Sequence, residues 1–368
     1  MRPTIVKGWD IPKEEYLRAH EDGRLVKLVV DLSNVCNLSC PGCFTKRIAG
    51  GWNEKTKKRL QNEIPYEHQI ALLEEASVLG VKTVDVVGAG EPTLDPYFQS
   101  FLNEVNRRGM HAVVFSHGAT NVFDDMQRFS GMDISFFIKL WSRKASLQDK
   151  YVHGSIPDYS KWRNSTLEKL IGAGLNQGGH TNLDGIDYRT SGLAADILVM
   201  KSNLNEIQNL FRFCRENNIM PEIKTYIPEG PTRIAQAHNL QVYTTKQLLQ
   251  LRSDEVTNEE FNELRRKLIE IDTKEFGIVA MNTFYPQAVK CTQSMGSLYV
   301  TVTGDILSCV GTHFSYGVYQ PGKDMLKKVI RERIEKVGFG CVPRIQEARE
   351  RNLTIARDLL DVYSEGMR

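Results

Sequence analysis

A chain of 368 residues with 41% hydrophobic and 25% charged side chains has an ordinary composition for a soluble globular protein, and its length suits one domain of about 200–250 residues plus a smaller one. The formal net charge of +2 is too small to indicate strong electrostatic binding to nucleic acids or to membrane surfaces. No run approaches the roughly 18 apolar residues of a membrane-spanning helix. Because the first residues also lack the apolar core of a signal peptide, we expect a cytoplasmic protein.

The first predicted elements are a short leader and a strand. Residues 1–27 are polar and mostly helical in pattern, with a helix start near Pro12. The apolar run at residues 28–32 predicts a buried strand. This leader is short.

Three cysteines, Cys36, Cys40 and Cys43, follow that strand on one short loop. Cysteine thiolates are the usual ligands of an iron–sulfur cluster, which normally takes four. Three of them would bind three irons of a [4Fe–4S] cluster and leave the fourth open to a substrate or cofactor. The alternatives are a structural zinc loop or unrelated thiols, but zinc sites usually combine a CxxC pair with a second pair or with histidines.

The chain then alternates helices and strands in six successive units, which predicts an α/β fold built on a parallel barrel. Parallel barrels gather their functional residues at the carboxyl ends of the strands. The predicted helices span residues 65–79, 97–108 and 204–217, and the predicted strands span residues 83–87, 111–115, 134–140, 196–200 and 220–227.

Glycine or polar side chains follow the ends of these strands. His117 is interpreted either as a substrate-site residue or as an exposed loop histidine. Ser142 is interpreted as a cofactor contact or as the N-cap of a short helix. The strand-end residues are, in chain order, Gly88, Gly90, Glu91, Ser116, His117, Ser142, Ser202 and Asn203.

The cysteine loop has the CxxxCxxC spacing and resembles the signature of the radical SAM enzymes. The turn at residues 88–91 resembles the GGEP segment of that family, with Ala89 in place of a glycine. The resemblance covers about residues 25–235 and implies that the parallel barrel is a partial (β/α)6 barrel. It implies that S-adenosylmethionine (SAM) chelates the open iron, that one-electron reduction cleaves SAM to a 5′-deoxyadenosyl radical, and that this radical abstracts a hydrogen atom from the substrate.

The same resemblance assigns the strand-end residues, His117 excepted, to SAM binding. Many family members carry an aromatic residue just before the third cysteine, near the adenine. Here that residue is Gly42, so Phe44 becomes the candidate for the adenine contact.

The last part of the chain carries a second cysteine pattern. Cys291 precedes a hairpin centred on residues 303–305, Cys309 lies at its exit, and Cys341 follows later. This order resembles the twitch or SPASM extension of radical SAM enzymes and implies an auxiliary [4Fe–4S] cluster. The alternatives are unrelated core thiols or a zinc site. Cys214 lies in an amphipathic helical pattern and is interpreted as a core thiol.

The predicted domain organisation is a leader at residues 1–27, the barrel at 28–235, a helical linker at 236–285, and an α+β auxiliary-cluster region with a closing helix at 286–368. Two clusters would suit a two-electron oxidation with proton loss to a base. The candidate catalytic residues are His117, His153, Glu222 and Tyr226, with His180, Tyr188, Arg189 and Lys224 as weaker candidates.

Our first hypothesis is a radical SAM oxidoreductase that acts on a polar small molecule, such as an aminocyclitol, sugar or nucleoside, with flavodoxin or ferredoxin as the electron donor. The second is a SPASM-type maturase that modifies a peptide or protein. The third is a redox-sensing iron–sulfur regulator without enzymatic activity, which the glycine-rich turn and Ser142 argue against.

Overall fold

The computed structural model describes residues 1–38, 40, 63–152, 156–183, 185–225, 253–279, 296–310, 314–337 and 354–355. Several predicted features lie outside these described residues: Cys43, Phe44, His153, Tyr226, Cys291, Cys341 and the closing helix.

Strands and helices alternate through the first two thirds of the chain. The strands are β1 (Thr4–Val6), β2 (Lys27–Val30), β3 (Thr83–Val86), β4 (His111–Ser116), β5 (Ile134–Lys139), β6 (His180–Leu183), β7 (Ile186–Ser191), β8 (Leu193–Val199), β9 (Met220–Thr225), β10 (Ser297–Val300), β11 (Ile306–Leu307), β12 (Phe314–Ser315) and β13 (Thr354–Ile355). The helices are α1 (Lys13–Glu21), α2 (Tyr66–Val78), α3 (Phe98–Arg107), α4 (Ala145–Gln148), α5 (Tyr159–Gly172), α6 (Ile207–Glu216), α7 (Asn258–Ile271) and α8 (Met325–Val337).

The main sheet has the strand order β11-β10-β2-β3-β4-β5-β8-β9, and β2 to β9 within it are parallel neighbours. Side chains alternate across it, as strand geometry requires. Leu28 and Val30 pack into the core under the helices. Val113 and Phe137 point the other way, into the lumen of the curved sheet. The predicted α/β partial barrel is confirmed.

The leader closes the amino end of the barrel. Its sequence pattern predicts a mostly helical segment, but its first residues form β1, which pairs with β7 in a separate three-stranded sheet. Val6 packs against the lumen residues of β4 and β5. The Trp9 ring follows, with its centroid 4.8 Å from that of Phe137. The apolar Ile5 and Val6 give this strand a place in the core that the helical pattern of the leader did not predict.

Charged side chains are buried just above this closure. Lys27 Nζ lies 3.5 Å from Asp85 Oδ2 and donates a hydrogen bond to the Trp9 carbonyl oxygen at 2.8 Å. Burial raises the pKa of Asp85 to about 6, against the opposing charge of Lys27. Burial likewise raises the pKa of Asp10 to about 6. The lumen is therefore polar as well as aromatic.

The predicted hairpin near residue 304 is confirmed, and it is part of the barrel sheet. β10 pairs in antiparallel fashion with β11 and in parallel with β2, with Val300 opposite Val30. The Tyr299 hydroxyl also donates a hydrogen bond to the Asp31 carboxylate, which directly follows β2. The strand that leads into the cysteine loop is thus flanked on both sides.

Helix α7 lies in the segment predicted as a helical linker. Thr257 and Glu260 form a capping box at its start, and its buried face joins the main core through Leu264 and Leu268. The guanidinium of Arg215 on α6 forms two hydrogen bonds with the buried Asp272 carboxylate, at 2.9 and 2.8 Å. Within the described residues, no helix is long and apolar enough to cross a membrane.

Candidate cofactor site at the carboxyl ends of the strands

Two of the three clustered cysteines are described, and both lie on the loop that leaves β2. Cys40 is buried, and Cys36 is half-buried against the same apolar cluster, which includes Leu38 and Tyr159. The Cys36 sulfur accepts a hydrogen bond from the Leu38 amide at 3.4 Å. Amide donors to sulfur stabilise the thiolate that a cluster ligand must be. The described part of this loop therefore fits a metal–thiolate site. Among the described residues alone, which leave out Cys43, no three His, Cys, Asp or Glu side chains group as metal ligands.

The glycine-rich turn after β3 lies directly against this loop. The Gly90 amide donates to the Ser33 carbonyl and the Glu91 amide donates to the Val35 carbonyl, both at 2.8 Å. A Cβ atom on Gly90 would lie only 2.1 Å from the Val35 oxygen. Gly88 has a φ of +68°, a backbone conformation that favours glycine. The close approach that the glycines permit is therefore to the backbone of the cysteine loop.

Glu91 is the buried centre of a hydrogen-bond network. Its Oε1 atom accepts hydrogen bonds from the hydroxyls of Thr93 and Ser116, each at 2.7 Å. Its Oε2 atom accepts a hydrogen bond from the His117 amide at 2.9 Å. Two predicted SAM-binding residues, Glu91 and Ser116, are thus bonded to each other. The network joins the glycine-rich turn to the end of β4.

His117 is buried, so the interpretation as an exposed loop histidine is wrong. The Ala119 amide donates to His117 Nδ1 at 3.0 Å, which makes that nitrogen an acceptor. His117 Nε2 then carries the proton and donates to Asn37 Oδ1 at 2.7 Å. Burial lowers the pKa of His117 against the opposing charge of Glu91, in agreement with the neutral tautomer that this network assigns. Both ring nitrogens of His117 are therefore engaged in structural hydrogen bonds, one with the Ala119 amide and one with the Asn37 side chain.

Ser142 lies at the end of β5, where its hydroxyl donates to the Glu206 carboxylate and accepts from the Lys144 amide at 3.0 Å. Helix α4 begins later, with Lys144 as its N-cap residue, so the N-cap interpretation of Ser142 is wrong. The buried Arg163 guanidinium fixes this strand end by donating to the Ser142 carbonyl at 2.9 Å.

Ser202 and Asn203 follow β8. The Ser202 hydroxyl donates to the Asp254 carboxylate at 2.7 Å. The buried Asn203 amide donates to the carbonyls of Trp141 and Leu198, each at 2.8 Å, and its oxygen accepts from the Met200 amide at 2.7 Å. Asn203 therefore fastens the ends of β5 and β8 to each other.

A row of charged residues crosses the lumen below these loops. Lys139, Asp196 and Glu222 are register partners on β5, β8 and β9. Lys224 Nζ lies 2.6 Å from Asp196 Oδ1 and 3.9 Å from Glu222 Oε2. Burial raises the pKa of Glu222 to about 7, with Asp196 adding to the rise and Lys224 opposing it. Within the described residues, Glu222 Oε2 has no hydrogen-bond partner.

Sequence reasoning missed Lys139 and Asp196. Lys139 Nζ lies 3.7 Å from Cys40 Sγ. The residue closes the apolar run of β5, which was interpreted only as a buried strand. The alternation within that run was the available signal, because it places Lys139 on the same face as Phe137, which lines the lumen.

Other candidates lie away from this site. His180, Tyr188 and Arg189 belong to the β6–β7 hairpin, which precedes the amino end of β8 and is therefore at the opposite end of the barrel. Cys214 is a core thiol, as predicted, and burial raises its pKa to about 12. Cys309 follows β11 at the other edge of the sheet from α6.

No family model matches the chain. A tungsten-containing aldehyde ferredoxin oxidoreductase cofactor-modifying protein from Pyrococcus furiosus is 27% identical over 114 residues, which are 30% of this chain and only 29% of that protein.

Solved structures match over more of the chain. Streptococcus suis SuiB bound to precursor peptide SuiA gives a TM-score of 0.57 at 14% identity, over 85% of this chain and 67% of SuiB. anSMEcpe with bound S-adenosylmethionine gives 0.56 at 10% identity, over 92% of this chain and 95% of anSMEcpe. At such identities the likeness shows the fold: the chain has the partial-barrel fold of radical SAM enzymes, as its cysteine motif predicts.

Proposed function

We propose that the chain is a radical SAM enzyme in which Cys36, Cys40 and Cys43 hold a [4Fe–4S] cluster whose open iron binds SAM. The chemistry that the bound cluster supplies is one-electron reductive cleavage of SAM and hydrogen abstraction from the substrate. The observation that carries the proposal is the backbone bonding between the glycine-rich turn and the cysteine loop, with Gly90 in contact with Val35. Two motifs of one family therefore form one structural unit.

The residues of the chain would hold this loop in place and move protons. Asn37 is bonded to His117, and Glu91 bonds the glycine-rich turn to the same strand end. We assign proton transfer to Glu222 rather than His117. A base near neutral pKa works best, and Glu222 has that pKa, whereas both nitrogens of His117 are engaged.

The proposed reaction is a two-electron oxidation of a polar small molecule. The buried Glu222 carboxylate supports a polar substrate, because within the described residues its Oε2 atom has no hydrogen-bond partner and a buried polar atom needs one. One electron of this oxidation would leave the substrate with the hydrogen atom that the 5′-deoxyadenosyl radical takes, and a proton would go to the base. Cys291, Cys309 and Cys341 would hold the proposed auxiliary cluster, which would supply an acceptor for the other electron. A flavodoxin or ferredoxin would supply the separate electron that cleaves SAM.

A peptide or protein is the second candidate substrate. It is favoured by the peptides in two structures of the same fold, SuiA in SuiB and Cp18Cys in anSMEcpe. A precursor peptide encoded beside the gene would favour this candidate further.

Anaerobic reconstitution with iron and sulfide, followed by reduction with dithionite, tests the activity. Wild-type protein and Cys214→Ala should convert SAM to 5′-deoxyadenosine, and Cys40→Ala should not, because Cys214 lies in the core away from the loop. Cleavage retained by Cys40→Ala would overturn the proposal. About eight irons per chain would support two clusters, and about four would leave only the first.

A further inference from the structure

Lys139 brings a positive charge to the cysteine loop from inside the barrel. It ends β5 on the face that lines the lumen, two residues after Phe137. Its Nζ lies 3.7 Å from Cys40 Sγ, within reach of a hydrogen bond to sulfur. The ammonium also lies 5.0 Å from the centroid of the Trp141 ring, a cation–π distance. Two separate contacts thus keep the charge at this position.

The surroundings make this charge effective. Cys40 is only 6% exposed and lies in an apolar cluster with Leu38 and Tyr159, where charges are poorly screened. The ammonium of Lys139 also lowers the pKa of His117 and of Tyr159, although burial is the larger influence on each. Its charge is therefore felt at two buried residues beside the described part of the loop.

We infer that Lys139 tunes the proposed cluster: its ammonium donates a charge-assisted hydrogen bond to the Cys40 sulfur and makes one-electron reduction easier. The inference depends on the proposed function. Reduction adds one electron from an external donor to the cluster, and no bond to Lys139 forms or breaks. Hydrogen bonds to the sulfurs and local charge set cluster potentials, and a nearby cation stabilises the more negative, reduced state.

The test is a redox titration of the reconstituted protein without SAM. Electron paramagnetic resonance monitors the reduced cluster and gives its midpoint potential. Lys139→Met removes the charge and keeps an unbranched side chain that is one atom shorter. We expect its reduction equilibrium constant to fall about tenfold, which is about 59 mV for one electron. Lys139→Arg should stay close to wild type. Lys161→Met removes an exposed charge on α5 and should titrate as wild type does.

A wild-type midpoint potential in Lys139→Met would overturn the inference. If this unchanged potential came with weaker SAM binding, measured by equilibrium dialysis, Lys139 would instead be a residue that contacts the ligand. If Lys139→Met fails to hold about four irons in this cluster, Lys139→Gln provides the same comparison with a polar side chain. A wild-type protein that holds no cluster would instead refute the proposed function.

Discussion

The Nε2 atom of His117 lies 2.7 Å from Oδ1 of Asn37, so the end of β4 is bonded to the loop that carries the cysteines. Asn37 bonds back through its amide nitrogen to the Ala119 carbonyl at 3.3 Å. These two contacts close a ring between residues that are 80 positions apart in the chain. The ring ties the described part of the cysteine loop to the residues that follow β4.

Removing the imidazole should loosen this loop. We expect His117→Leu to lower the free energy of unfolding by about 1–3 kcal/mol, because it takes a buried donor away from Asn37. Urea denaturation measures the change. His180→Leu, on an exposed strand, is the matched control and should behave as wild type. Equal midpoints for the two variants would show that the ring does not stabilise the fold.

A methyl group at Gly90 should disrupt the unit formed by the two motifs. Gly90→Ala places a Cβ atom 2.1 Å from the Val35 oxygen, so backbone must move. We expect a loss of about 1–3 kcal/mol, as for other overpacked sites. Gly172→Ala, near the end of α5, meets no atom within 4 Å and should be neutral or slightly stabilising. Calorimetric midpoints of the two variants would check the contrast, and a Gly90→Ala midpoint at or above wild type would contradict it.

The stability of the protein should depend on pH through Glu222. Its pKa is raised from the ordinary 4.5 to about 7, so the folded state binds its proton more tightly than the unfolded state does. The contribution of Glu222 to the free energy of unfolding is fully present below pH 4.5 and is lost as the pH rises through about 7. Glu222→Gln stays neutral. As the pH rises from 5 to 8, the free energy of unfolding of Glu222→Gln should therefore increase by about 1–3 kcal/mol relative to that of wild type.

Urea denaturation of both proteins across this pH range gives the difference directly. Asp85 and the other groups that do not interact with Glu222 titrate alike in the two proteins and cancel. A difference that does not change with pH would show that Glu222 is ionised in the folded protein throughout.

Two neighbouring ion pairs between α6 and the end of α7 should differ sharply in their effect on stability. Arg215 and Asp272 are both fully buried. Asp272→Ala leaves the guanidinium without this carboxylate and should cost about 3–5 kcal/mol. The Arg212–Glu275 pair is partly exposed, so Glu275→Ala should leave the midpoint near that of wild type. Similar losses in both variants would mean that burial does not distinguish the two pairs.

Local patterns predicted most of the elements of the barrel. The strands from β2 to β5 are apolar runs bounded by turns, and α2, α3 and α6 carry apolar residues at helical spacing. The β6–β7 hairpin escaped prediction because His180, Thr181 and Asn182 are exposed and give no apolar alternation. Its position is set by pairing with β1, a contact between distant parts of the chain.

The candidate site could be predicted only in part. The order of motifs placed Gly90, Glu91 and Ser116 at strand ends, as observed. It could not show that Glu91 bonds to Ser116, or that His117 is buried against the loop, because both depend on distances across strands. The SAM-binding roles of these residues remain predictions.

The pairing of β10 with β2 has a consequence for how the protein acquires its structure. Tyr299 and Asp31 touch although 268 residues separate them, and this raises the contact order of the domain. During synthesis, β10 cannot cover this edge of β2 until residues 297–300 have left the ribosome. Nascent chains should therefore depend on protection from aggregation before the cysteine loop is fully supported.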